Sequence, residues 1–228
     1  MSQLDLSSVS GVTPRHVSFV ETGRSAPSRE LLHTLAEALE MPLRDRNRLF
    51  LAAGYAPPYR ALDLDDEEAA EVVAAFDRIL AGHEPHPGVV MDRHWNLVRS
   101  NRGAARLFGS LLDLAVVEQP PNVLRLVFGP LRPHIVNWSE LAPALLARAR
   151  REAVGGVPHP ELVSLIEELA RLLDDGPTRP AGTGPVIDVA FRLGPEVHRY
   201  FSTVTTLGTA ADVGLQELRI ELFHPHPG

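Results

Sequence analysis

The segment GVTPRHVSFVETG, residues 11–23, gathers hydrogen-bonding side chains at a helix end where packing does not need them. Thr13 followed by Pro14 is a strong helix start, since a hydroxyl caps the first turn and Pro lacks an N–H that would have no partner there. Val17 and Val20 fall on one face, and Gly23 stops the helix. Arg15, His16 and Ser18 point elsewhere, near the exposed N-terminal end. Apolar docking residues on one side and free donors on the other suit a helix that reaches base edges and phosphates in a DNA groove.

Other chemistries find less support. Ten histidines raise the question of metal, but His83 and His86 lie in HEPHP and His224 and His226 in HPHP. These prolines forbid the helix that ligands three or four residues apart would need, and HExxH is absent, so the histidines read as loop residues and no metal is expected. No cysteine is present, which excludes a disulfide framework, a thiolate site and a cysteine nucleophile. All twenty-two basic residues are Arg, so no lysine serves a phosphate loop or a Schiff base. The acids Asp63, Asp65, Asp66, Glu67 and Glu68 fit a helix N-terminus better than a cation loop. No G-x-S-x-G elbow or dinucleotide glycine pattern appears. An enzyme is not expected, nor is a cofactor.

The elements that position the donors follow in order. A short helix precedes Gly11-Val12, and Ser28 caps a third with Leu31, Leu32, Leu35, Ala38 and Leu39 as its stripe. Residues 43–53 read as a fourth, whose Arg44, Arg46 and Arg48 suit a solvated face. GYAPPY, residues 54–59, is a turn-like boundary, giving domains at 1–58 and 59–228. An amphipathic linker helix covers about 66–81. Val89 to Arg99 reads as a β-hairpin turning at Asp92-Arg93-His94, and Asn101 opens a short helix. Pro120-Pro121 opens another, carrying Leu124 and Val127. Two longer helices follow, capped at Ser139 and opened at Pro160, with Pro143 placed in a first turn. Three strands close the chain, at 187–193, 197–207 and 213–223, the last with Leu218, Ile220 and Leu222 opposing Glu217, Arg219 and Glu221. The class is α+β, a small all-α domain followed by a roughly five-stranded antiparallel sheet with inserted helices.

Charge divides unevenly. Residues 1–60 hold seven Arg against six acids, and the remainder fifteen against twenty-three, in a chain of net charge −7. That is a weak electrostatic footprint for a nucleic-acid binder unless further chain supplies charge or a dimer doubles the contacts, and a dimer is expected because helix-turn-helix heads commonly read two half-sites. No apolar run reaches the ~20 residues that span a bilayer, so no membrane is expected and the cytoplasm is the default location.

Residues 1–39 resemble the xenobiotic-response-element family of helix-turn-helix repressors through Gln3, Leu6, Gly11, Val12, Val17, Ser18, Glu21, Gly23, Pro27 and Ser28. That family carries a further helix ahead of the Ser-Gln pair, which this sequence lacks. The resemblance places Ser2, Gln3, Thr13, Arg15, His16 and Ser18 against double-stranded DNA, with Arg24 near the backbone. The strand-turn-strand-Asn-helix order from 89 resembles a PAS-type sensor. DRNRLFLAAGYAPPYR, VMDRHWNLVRSN, NVLRLVF, LRPHIVNWSELA and FSTVTTLGTAADVGLQELRIELFHP together resemble the MmyB-like transcription regulators over nearly the whole chain.

That resemblance implies a PAS-like pocket for a lipophilic molecule such as a fatty acid. Candidate lining residues are Trp95, Leu107, Phe108, Leu126, Phe128, Trp138, Leu141, Phe201, Thr203 and Leu218, though periodicity does not separate lining from core. A ligand carboxylate calls for an Arg, with Arg125 and Arg132 as candidates and Asn101 and Asn137 as neutral donors. The expected function is a ligand-responsive, homodimeric, DNA-binding regulator. The alternative is a lipid-sensing module with a vestigial head that acts through a protein partner.

Overall fold

The computed structural model describes residues 1–113, 115, 117–153, 159–173, 188–208 and 212–226. Two units make up the chain: Met1–Leu62 with Thr209–Gln216, and Asp63–Gly208 with Glu217–Gly228. Ile187, the first residue expected in the strand at 187–193, lies outside the described residues.

The first unit, the head, begins with α1 (Gln3–Ser10) and α2 (Pro14–Glu21), followed by α3 (Arg29–Ala38) and α4 (Leu43–Ala52). Gly11 joins α1 to α2 at φ 72°, a left-handed conformation that costs glycine little and other residues about 1–2 kcal/mol. Leu6, Val17 and Leu35 form the small core that holds α1, α2 and α3 together. Short caps define the helix starts, with Ser2, Thr13 and Ser28 each accepting a backbone N–H from the first turn. The segment α10 (Val213–Gln216) also belongs to this unit. The Asp212 carboxylate accepts from Leu62 N, Val213 N donates to Arg60 O, and Gln216 Oε1 accepts from Leu43 N at 2.8 Å. Residues 213–216 are therefore helical, where a strand was expected from 213.

The second unit opens with a 3-10 turn (Glu67–Ala69) and α5 (Ala70–Gly82). The sheet comprises β1 (Gly88–Met91), β2 (Leu97–Ser100), β3 (Asp188–Leu193), β4 (Glu196–Thr206) and β5 (Arg219–Pro225), antiparallel throughout in the order β2-β1-β5-β4-β3. Helices α6 (Arg102–Leu111), α7 (Val123–Phe128), α8 (Trp138–Ala153) and α9 (Pro160–Ala170) are inserted between β2 and β3. This is the α+β arrangement expected, with five strands.

Two helix starts differ from expectation. Asn122, not the Pro120-Pro121 pair, caps α7, its Oδ1 accepting from Arg125 N. Ser139 lies inside α8, and Pro143 falls beyond the first turn, because Asn137 O already accepts from Glu140 N and Leu141 N. Gly103 sits on α6 where any Cβ would meet His86 O at 2.5 Å, so the helix presses directly on the chain leading into β1.

β5 is the central strand and is covered on both faces. Leu222 meets α5, since a Cβ at the neighbouring Gly88 would touch both Leu222 and Leu80. The other face carries Arg219, Glu221 and Phe223, in register with Met91, Val89 and Ser202 on the strands beside it. Arg219 and Glu221 are 8% and 7% exposed. A strand that alternates apolar and charged residues is normally half-buried. Here the charged side is buried as well, because each charge has a partner on α8.

Candidate ligand cavity and DNA-reading face

On the Glu221 face of the sheet lies a cavity of about 400 Å³. Val89 and Met91 of β1, Phe191 of β3 and Phe223 of β5 form its floor. Phe108, Leu126, Val127, Leu131, Leu141 and Leu145 close it from the helices, and Trp95 and Leu97 close the hairpin end. Its side-chain polar groups include Arg148 and Glu221, with Ser202 of β4 nearby on the wall.

Arg148 and Glu221 meet in a two-point fork, both N–O distances 3.1 Å. Arg148 Nε also donates to Glu152 at 2.9 Å, and Glu152 accepts from Arg219 Nη1 at 2.6 Å. The quartet is neutral as a whole, which is how four charges are tolerated beside an apolar cavity. Burial lowers the Arg148 pKa, but the attraction of Glu221 and Glu152 outweighs it and the net shift is upward. Burial dominates at Arg219 and lowers its pKa, with Glu152 opposing. Both guanidiniums remain charged at any working pH. Each also lies over the Trp95 ring, Arg219 at 4.2 Å and Arg148 at 4.9 Å from its centre, so the indole is clamped by two cations. Trp95 holds this place at φ 69°, in a turn fastened by Asp92 Oδ1, which accepts from His94 N and Asn96 N.

Of the expected lining residues, Trp95, Phe108, Leu126 and Leu141 line this cavity. Leu107 and Phe128 are buried in the surrounding core, and Trp138 packs against that core with Phe128 at 5.0 Å between ring centres. Phe201 and Thr203 lie on the opposite face of β4, where Phe201 stacks on His224 and Thr203 Oγ1 meets His224 Nε2 at 3.0 Å. Leu218 precedes β5 and is buried outside the cavity wall. The parity error has one cause. Phe201, Thr203 and Leu218 were expected at the pocket, whereas Ser202, Glu221 and Phe223 face it.

The expected polar contacts also differ. Arg125 is exposed and paired with Glu168 at 3.1 Å and 3.2 Å, beside a second, more open depression that also includes Leu126 and Gln119. Arg132 lies over the Trp138 ring at 5.0 Å. Asn101 is structural: its Oδ1 accepts from Gly88 N and Ala104 N, and its Nδ2 donates to Leu80 O and His86 O. Asn137 pairs with the outer edge of β3, donating to Asp188 O and accepting from Ala190 N. Among the described residues two cations line the cavity, Arg99 on β2 and Arg148 on α8, and Arg148 is the one joined to Glu221 within its wall. Its signal in the sequence was only an Arg in the polar part of the α8 pattern, indistinguishable there from a surface residue.

In the head, α1, Gly11 and α2 form a helix-turn-helix. Arg15, His16 and Arg24 are exposed, Ser18 is half-buried, and Arg15 lies 5.2 Å from the centre of the Phe19 ring. Ser2 and Thr13 are occupied as caps, Ser2 in a reciprocal pair with Asp5 that lowers the Asp5 pKa through backbone and side-chain hydrogen bonds. Gln3 Nε2 donates to Glu21 at 2.5 Å and so fastens the start of α1 to the end of α2.

A helix-turn-helix head and a separate cavity-bearing domain define a ligand-responsive DNA-binding transcription regulator. The description "MmyB-like transcription regulator ligand binding domain" matches residues 72–227, and "Helix-turn-helix" matches residues 1–45. The chain belongs to the MmyB-like transcription regulators. No curated protein matches it. Among the described residues no helix is long and apolar enough to cross a membrane.

Proposed function

We propose that this regulator acts as a homodimer and that its cavity takes a lipophilic molecule of the fatty-acid class, whose occupancy changes the affinity of the head for DNA. The observation that carries the reading is the 400 Å³ apolar cavity with one matched ion pair in its wall. That volume is within the usual range for small-molecule sites, which are mostly apolar with a few orienting polar groups. The hydrocarbon chain occupies the apolar part, and the polar end meets Arg148 and Ser202. Glu221 already occupies the Arg148 fork, so a second free carboxylate is repelled. The ligand's acid group therefore enters neutral, or an alcohol of the same chain length binds at least as well.

A route for the response exists in the chain itself. β4 and β5 contribute Ser202, Glu221 and Phe223 to the cavity, and the residues between these strands include Asp212–Gln216, which hydrogen-bond to Leu43, Arg60 and Leu62 of the head. A ligand shifts this equilibrium only by its differential affinity for two arrangements.

Fluorescence anisotropy with DNA from upstream of the chain's own gene tests the reading, with and without palmitic acid and hexadecanol. Salt-sensitive binding that changes at least about fivefold with ligand is expected, the low end of ordinary coupling. Ligand binding without any DNA binding at low salt favours instead a lipid-sensing module that works through a protein partner. The fastening of Gln3 to Glu21 gives that second reading its support.

A further inference from the structure

We infer that His94, His159 and Glu161 form a binding site for a divalent transition-metal ion, Zn²⁺ by ligand type, beside the hairpin turn that carries Trp95. One ligand atom from each residue lies within 4.8 Å of the others, the one such group of three among the described residues. The two imidazole rings face each other edge to face at 4.1 Å between centres. Two imidazoles and a carboxylate are a common three-residue set for zinc, with a fourth position left to water or another ligand. Tetrahedral bonds of about 2.0–2.2 Å hold ligand atoms about 3.3–3.5 Å apart. Small side-chain rotations of roughly 1 Å close the group to that spacing.

The residues are placed for this role by their backbones. His94 sits in the turn fastened by Asp92, and Asn122 Nδ2 donates to His94 O at 2.8 Å. His159 occupies the residue before α9, where Ser, Thr, Asp or Asn usually caps, yet its side chain makes no cap hydrogen bond. It faces His94 instead. Glu161 is in the first turn of α9 and exposed. Asp92, Glu161 and Glu217 surround His94 against one cation, Arg93, which is itself paired with Glu217 at 2.9 Å. That surplus of negative charge offsets the positive end of α9.

Binding has a defined consequence. Arg93 Nε donates to His94 Nε2 at 3.1 Å. A metal at Nε2 displaces Arg93, and a metal at Nδ1 puts the ring proton on Nε2, which then no longer accepts. Either way the Arg93–His94 hydrogen bond is lost and α9 becomes tied to the turn next to Trp95. The metal thus joins α9 to the wall of the cavity.

The test uses the full chain, free of any histidine tag, dialysed against Zn²⁺ near neutral pH and analysed for bound metal. One Zn²⁺ per chain is expected, with affinity reduced at least about tenfold in His159→Ala and in Glu161→Gln, the latter an exposed change that leaves folding intact. His224→Ala retains the ion. Substituted Co²⁺ gives the strong visible bands of low-symmetry coordination, and these weaken in Glu161→Gln. Absence of stoichiometric Zn²⁺, or binding that survives His159→Ala and Glu161→Gln and disappears in His224→Ala, overturns the assignment.

Discussion

The head and the sensor domain use polar residues in opposite ways. In the head, Ser2, Thr13 and Ser28 cap helices at the surface, and Arg15, His16 and Arg24 stay exposed around a core as small as Leu6, Val17 and Leu35. In the sensor, Arg148, Glu221 and Arg219 are turned inward against Trp95 and the cavity, and Asn101 is buried with four hydrogen bonds. A surface that recognises a charged polymer keeps its donors in water until contact. An apolar cavity must settle the charges in its wall internally.

The largest effect expected is at the quartet. Glu221→Ala leaves Arg148 buried with only Glu152, which it shares with Arg219, and should lower stability by about 3–5 kcal/mol. Replacing both fork partners, Arg148→Met with Glu221→Leu, removes a neutral pair and leaves Glu152–Arg219 intact, so most of that loss should be recovered. Denaturant unfolding of the two variants decides it. Equal losses in both would mean that the fork contributes by shape and not by charge.

Asn101 comes next. Asn101→Ala leaves Gly88 N, Ala104 N, Leu80 O and His86 O without their partner and should cost about 2–4 kcal/mol. Its ligand affinity, measured on the folded fraction, should be unchanged, because the side chain faces backbone and not the cavity. A selective loss of affinity without loss of stability would restore Asn101 as a ligand donor.

On the head side, Arg15→Ala should weaken DNA binding by about 1–3 kcal/mol with little change in stability. If Arg15 meets phosphate, the salt dependence also falls by about one counterion. Ser2→Ala should do the reverse, costing about 1 kcal/mol of head stability through the lost cap. Anisotropy and thermal unfolding of both variants separate reading from folding. Were Ser2→Ala and Arg15→Ala to behave alike, the contrast between surface reading and inward matching would not hold for the head.

The same contrast explains what the sequence disclosed. Caps at Thr13, Ser28 and Asn101 are local hydrogen bonds, so a residue type and its position suffice to find them. The hairpin, the helix stripes and the α+β class follow from periodicity, which is also local. The cavity face of β5 was misread because alternation marks which residues are apolar, not which face is buried, and a central strand buries both. Arg148 could be recognised only once Glu221, seventy-three residues away, was seen to receive it. Likewise His94 and His159 stand far apart in sequence and meet only because α9 returns to the hairpin turn, so neither carries the close spacing of the HEPHP and HPHP pairs.

The smallest effect concerns the outer face of the sensor sheet, where histidines replace the ion pairs of the inner face. His224 lies 4.9 Å from His83 between ring centres and stacks on Phe201 at 4.9 Å; His86 is 5.8 Å from His83. Thr203 Oγ1 meets its Nε2, His83 Nε2 is engaged with Phe223 O, and His226, across Phe201, pairs with Asp188 at 3.0 Å. The His224 pKa is lowered, first by burial and then by His83 and His86. An unfolded His titrates near about 6.5, so below that pH the unfolded chain takes up a proton that the folded chain still refuses. Stability from this residue is therefore whole above about pH 6.5 and declines as pH falls toward the lower folded value, then levels once both states are charged. His224→Asn should flatten that decline while leaving stability near neutral pH almost unchanged. Denaturation midpoints followed from about pH 7 to pH 5 for both proteins measure it. An undiminished decline in His224→Asn would place the acid sensitivity elsewhere.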